Sequence, residues 1–119
     1  MRQPVPEVRE ADVIRIIRRD FPAEQFETVM SILSEYGRED WQRGVNRVRL
    51  AVLKLANGDL QALRNEIAVA KTDYRDVLAY AEYPEYMQKV SPTANITEEE
   101  RTRIICADWA QFQSWLYSE

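Results

Sequence analysis

Apolar residues alternate at intervals of three and four on both sides of Asn57-Gly58-Asp59. Trp41, Val45, Val48, Val52 and Leu55 precede it, and Leu60, Leu63, Ile67, Ala70, Tyr74, Val77 and Ala81 follow it. Only an α-helix brings such positions to one face, and an average spacing of about 3.5 residues is the seam of helices that pack lengthwise. Asn57-Gly58 ends the first of these helices and Asp59 caps the second, through a connection so short that the two must lie side by side and antiparallel. The spacing therefore predicts a central αα-hairpin with helices over about 41–56 and 60–83. The rest of the chain must pack around it as an all-α, single-domain bundle of about five helices spanning residues 1–119.

Pro4 and Pro6 open an extended lead-in over residues 1–6, after which Glu7 to Arg19 reads as a first helix with Val8, Ala11, Ile14 and Ile17 inward. Phe21-Pro22 closes it, because the residue before a proline resists the α region. A second helix runs to about Tyr36, with Phe26, Val29, Met30, Leu33 and Tyr36 on its apolar face and Gly37 at a left-handed cap. Asp40 is placed to cap the third helix, which carries Leu50 and Leu53 opposite its seam and so reads as the central one. Gly44 costs that helix about 1 kcal/mol against alanine, marking a frayed start or a close backbone approach. The fourth helix, stopped by Pro84, extends for about 35 Å at 1.5 Å per residue. Residues 89–96, with Ser91-Pro92-Thr93, read as a loop. Thr97 and Glu100 then form a capping box, and Glu98, Glu99 and Glu100 face the positive end of the helix dipole. The final helix sets Arg101, Ile105, Trp109, Phe112 and Leu116 on one face, with Ile104 and Trp115 beside it.

A chain of 119 residues buries roughly two-thirds of the surface its unfolded form exposes, enough to fold without metals or disulfides. Its net charge of −4 opposes nonspecific binding to nucleic acid, which needs a basic surface to displace counterions. No apolar run approaches the roughly 18 residues of a spanning helix, and the N-terminus lacks the apolar core of a secretory signal, so a cytoplasmic location away from membranes is expected. Cys106 reads as a small, partly buried hydrophobe, since no histidine exists to form an ion pair with a thiolate. The absence of histidine also removes the usual proton shuttle, histidine triads and most transition-metal sites. Gly37, Gly44 and Gly58 are isolated, so no phosphate-cradling loop exists. No cofactor, metal or catalytic residue is expected.

Two polar groupings stand out. Asp73, Asp76, Tyr80 and Tyr83 follow one another at gaps of three, four and three, on a face of the fourth helix turned away from the seam, with Tyr86 just past Pro84. Tyrosines supply flat apolar area with a hydrogen-bonding tip and are enriched at interfaces, so this face is a candidate partner surface. The competing expectation is that Tyr80 and Tyr83 pack beneath the first or last helix. Arg43, Arg47 and Lys54 flank the seam of the third helix, and Glu66 and Asp73 flank that of the fourth. These charges either meet across the pair and fix its register, or leave a basic strip for an acidic partner.

Gly58-Asp59-Leu60, with the stretch from Ala70 to Pro84 that contains Ala70-Lys71-Thr72-Asp73-Tyr74-Arg75-Asp76-Val77-Leu78, resembles a signature of small bacterial helical proteins with no assigned activity. The resemblance covers about a quarter of the chain and implies the helical fold and a bacterial origin, but no function. The expectation is a small cytoplasmic protein-binding module, an adaptor, regulator or inhibitor, that binds another protein or a second copy of itself. One alternative is a histidine-independent enzyme with Asp73 and Asp76 as acid and base and Tyr80 as donor. Another is a weak nucleic-acid-binding protein using Arg43, Arg47 and Arg49.

Overall fold

The computed structural model describes residues 4–90 and 95–118, so the predicted Ser91-Pro92-Thr93 turn lies outside the described residues. Within them the chain forms α1 (Glu10–Asp20), a single 3₁₀ turn (Ala23–Gln25), α2 (Phe26–Leu33), α3 (Val45–Ala56), α4 (Leu60–Glu82), α5 (Pro84–Lys89) and α6 (Glu98–Tyr117). It is an all-α bundle built on the α3–α4 hairpin.

The hairpin turn follows its sequence closely. Asn57 is left-handed at φ 50°, with its N–H on the Leu53 carbonyl at 3.1 Å, and the Asp59 carboxylate accepts from the Gln61 amide at 3.3 Å. Gly58 is needed twice over, for its φ of 81° and because a Cβ there would stand 2.9 Å from the Asp20 carbonyl oxygen. α3 is the central helix as expected, with Val48, Leu50, Ala51, Val52 and Leu53 fully buried on both of its sides.

Around it the elements differ from expectation in instructive ways. α1 starts at Glu10, where the Asp12 carboxylate accepts from the Arg9 backbone amide, and it buries Val13, Ile16 and Ile17. The inward face shifts accordingly, and Ala11 is exposed. α3 begins at Val45 because Gly44 adopts a left-handed φ of 58°. Gln42, not Asp40, organises the preceding connection by accepting from the Gly37 and Glu39 amides at 2.7 and 3.1 Å. Trp41 thereby leaves the seam and stands 48% exposed. Tyr36 is fully buried, and its hydroxyl donates to the Arg43 carbonyl at 2.8 Å.

α4 is not one straight rod. Asp73, at φ −152° and ψ 98°, interrupts it, and its carboxylate accepts from the Arg75 amide at 3.1 Å as a cap for the second half. The break has a geometric purpose. With the turn centred on Gly58, the residue level with Arg47 is Val69, so an unbroken helix at about 1.5 Å per residue would carry Glu82 about 20 Å past Arg47. Instead the second half folds across the start of α3, buries Val77 and Ala81, and brings Glu82 to 2.6 Å from Arg47.

Pro84 ends α4 and opens α5, a short helix not foreseen in the sequence, with proline in its first turn where no amide is needed. The free amides of Glu85 and Tyr86 donate at 3.1 and 2.9 Å to the carboxylate of Asp108, a buried residue of α6. α6 is capped by the Thr97 hydroxyl on the Glu100 amide at 3.1 Å and buries Ile105, Phe112 and Leu116. Cys106 lies on its outer side and is exposed rather than partly buried. Arg19 ties the far end of α6 to α1 by donating to the Trp115 and Ser118 carbonyls at 2.5 and 3.0 Å, with its guanidinium over the Trp115 ring.

Candidate functional site

The structure separates the residues that the sequence groups together. Asp73 is engaged with Arg75, whose side chain beside it holds the carboxyl below its usual range. Asp76 is exposed and Tyr80 is 54% exposed. Tyr83 lies beyond the helix end at φ −132° and ψ 55°, which turns its side chain inward. It is 6% exposed, donates its hydroxyl to the Pro4 carbonyl at 2.6 Å, and burial pushes the phenol up to about 12. Tyr86 is half-buried, 3.5 Å from the Arg101 guanidinium. The face therefore divides into an exposed Asp76–Tyr80 part and a buried Tyr83.

The arginine strip is likewise dismantled. Arg47 forms a two-pronged ion pair with Glu82 at 2.6 and 2.8 Å, and the Glu82 side chain is only 3% exposed. Arg49 donates to the Leu33 and Tyr36 carbonyls at 3.1 and 2.8 Å, closing the end of α2. Arg43 is exposed, and its backbone carbonyl serves Tyr36. An ion pair does cross from α3 to α4, but its acid is Glu82 rather than Glu66 or Asp73. Lys54 is half-buried and its pKa is lowered, because burial disfavours the charged amine more than the nearby Asp108 supports it.

A different site emerges around the extended segment that precedes α1. Pro4 and Val5 lie between two hollows that share Arg47 as a common wall. The larger, an open groove of about 1250 Å³, runs between residues 4–12, the start of α3 and the side of α6 that carries Trp109, Gln113 and Tyr117. The smaller, about 330 Å³, is lined by Tyr74, Leu78, Glu82 and Tyr83 from the second half of α4. Pro6 is buried, while Val5 and Tyr117 are 58% and 62% exposed at the rim. Four aromatic rings thus flank one extended segment above a charge pair that neutralises itself.

Of the sequence-predicted residues, Arg47 and Tyr83 belong to this cleft, and Asp73, Asp76, Tyr80, Tyr86 and Arg43 do not line it. Tyr74 and Trp109 are stripe positions in the sequence pattern, which gives Tyr117 and Glu82 no role. The available signal was the Pro4-Val5-Pro6 pair of prolines, which fixes an extended segment. Among the described residues no group of three or more Cys, Asp or Glu is placed to hold a metal ion, and no helix is long and apolar enough to cross a membrane. In comparisons with family models, curated proteins and solved structures, nothing matches this chain.

Proposed function

We propose that this chain is a small cytoplasmic protein-binding module, an adaptor, regulator or inhibitor, and that it works through the cleft beside residues 4–6. The observation that carries this is the open aromatic groove with Tyr117 and Val5 exposed at its rim. Its volume exceeds the roughly 300–1,000 Å³ of small-molecule pockets, and aromatic side chains with arginine are enriched in interface cores. Arg47 and Arg49 are engaged within the protein, which weakens the nucleic-acid reading. The exposed Asp76–Tyr80 part of α4 supports a second surface for the same binding role.

The test is affinity capture from lysate of the source organism with three baits: the wild-type chain, Tyr117→Asp and Tyr80→Asp. Both tyrosines are exposed, so each variant should keep the helical circular dichroism of the parent. A protein held by the wild type and by Tyr80→Asp, and lost by Tyr117→Asp, supports the cleft. Loss with Tyr80→Asp alone transfers the role to α4, and no protein retained by the wild type defeats the proposal.

A further inference from the structure

The segment Pro4-Val5-Pro6 has the physical character of a ligand rather than of a linker. Proline fixes φ near −65° at two of its three residues, and Val5, preceding a proline, is confined to extended backbone. The sequence therefore dictates a short polyproline-type stretch with no internal hydrogen bonds and with a carbonyl free to accept from outside. Its burial alternates, since Pro4 is half-buried, Val5 is 58% exposed and Pro6 is buried. The Tyr83 hydroxyl donates to the Pro4 carbonyl at 2.6 Å, and Tyr74, Tyr83, Trp109 and Tyr117 line the hollows on either side. An aromatic-lined groove whose hydroxyl meets the carbonyl of a proline-bearing extended segment is a recurring mode of peptide recognition.

We infer that residues 4–6 are an internal occupant of the binding cleft, and that the partner presents an extended, proline-containing segment that takes their place. This deepens the reading of the cleft as a protein-binding site and rests on it. The strap is held by the burial of Pro6 and little else. Proline gives no N–H, and among the described residues the Tyr83 hydroxyl supplies the strap's hydrogen bond to the body of the protein. Residues 7–9 connect it to α1, so it is always close to its site. A tether that short gives an effective concentration on the order of 1 mM, and a free peptide of the same sequence then has an apparent Kd no tighter than about 1 mM. The strap excludes weak proline-rich competitors and yields to a partner that adds contacts in the larger groove.

The test uses a fluorescent peptide with the sequence of residues 4–9, a control peptide with both prolines replaced by alanine, and the full chain as wild type and as Pro4→Gly/Pro6→Gly. Fluorescence anisotropy should show the proline peptide bound at least about tenfold tighter by the strap-loosened variant than by the wild type. Adding Tyr83→Phe to that variant should weaken binding about fivefold through loss of one hydrogen bond. A folded variant that binds the proline peptide no better than the alanine control overturns the inference. Should Pro4→Gly/Pro6→Gly not fold, a nitroxide at Val5→Cys in a Cys106→Ser chain decides the question with both prolines intact. The proline peptide, at about ten times the effective concentration, should release the strap and sharpen the spin-label spectrum. An unchanged spectrum overturns the inference. If the peptide fails while a captured protein still depends on Tyr117, this inference alone falls and the binding cleft stands.

Discussion

Replacing Arg47 with methionine should destabilise this protein by about 3 kcal/mol, whereas replacing Arg47 and Glu82 together should cost little. The Glu82 side chain is 3% exposed and Arg47 is its cation, held by two hydrogen bonds at 2.6 and 2.8 Å. Methionine approximates the arginine stem but leaves a buried carboxylate without a counter-charge. Removing one partner of a buried pair costs about 3–5 kcal/mol, and the lower end applies because Arg47 keeps 28% of its side chain in water. With a urea dependence of about 1.5 kcal/mol per molar, the midpoint should fall by about 2 M. Arg47→Met/Glu82→Leu removes both charges and should lie within about 1 kcal/mol of the parent, giving a coupling energy of at least about 2 kcal/mol. Equilibrium urea unfolding of the parent, both single variants and the double variant, followed by circular dichroism, measures the whole cycle. A loss below about 1 kcal/mol for Arg47→Met, or a double variant as unstable as the two singles added, refutes the reasoning.

Gly58→Ala should lower the melting temperature by about 5–10 °C, because φ 81° and a backbone oxygen 2.9 Å from the new Cβ leave no rotamer to relieve it; an unchanged melt shows the turn relaxing. Burial raises Tyr36 and Tyr83 to about 12, against about 10 in the unfolded chain. Between these values the unfolded state has lost protons that the native state still holds. The stability contributed by the neutral phenols is therefore complete well below pH 10 and declines as pH rises towards 12. A tyrosinate absorbance titration in which all tyrosines ionise together near 10 contradicts this. Lys54→Met keeps the apolar stem and removes a half-buried charge, so its melting temperature should match or exceed the parent's, and a marked drop would show that attraction to Asp108 outweighs desolvation.

The hairpin was legible because its information is local. The stripe sets the face, Asn57 and Gly58 stop one helix, and Asp59 starts the next. Helix starts proved harder, since Gly44 and Gln42 act through a left-handed dihedral and side-chain acceptance that a stripe does not encode. The break at Asp73 had a visible cue in Thr72-Asp73, whose side chains compete for backbone hydrogen bonds, but the unbroken stripe through Tyr74 and Val77 concealed it. The same break hid the site. Without it Glu82 stands far from Arg47, Tyr83 shares a face with Tyr80, and no cleft forms beside Pro4. Residues 35 positions apart in the chain meet here only through the path of the backbone.

Asp108 also sets an order of events during synthesis. α5 has only six residues, far below the length at which an isolated helix is stable in water, and its first amides are satisfied by a carboxylate that is made 22 residues after Tyr86. While the chain emerges from the ribosome, the hairpin and α1 can close around their own apolar face, but residues 84–89 wait for α6. The nascent protein therefore has a late-closing end, whose backbone amides stay open to water until Asp108 arrives.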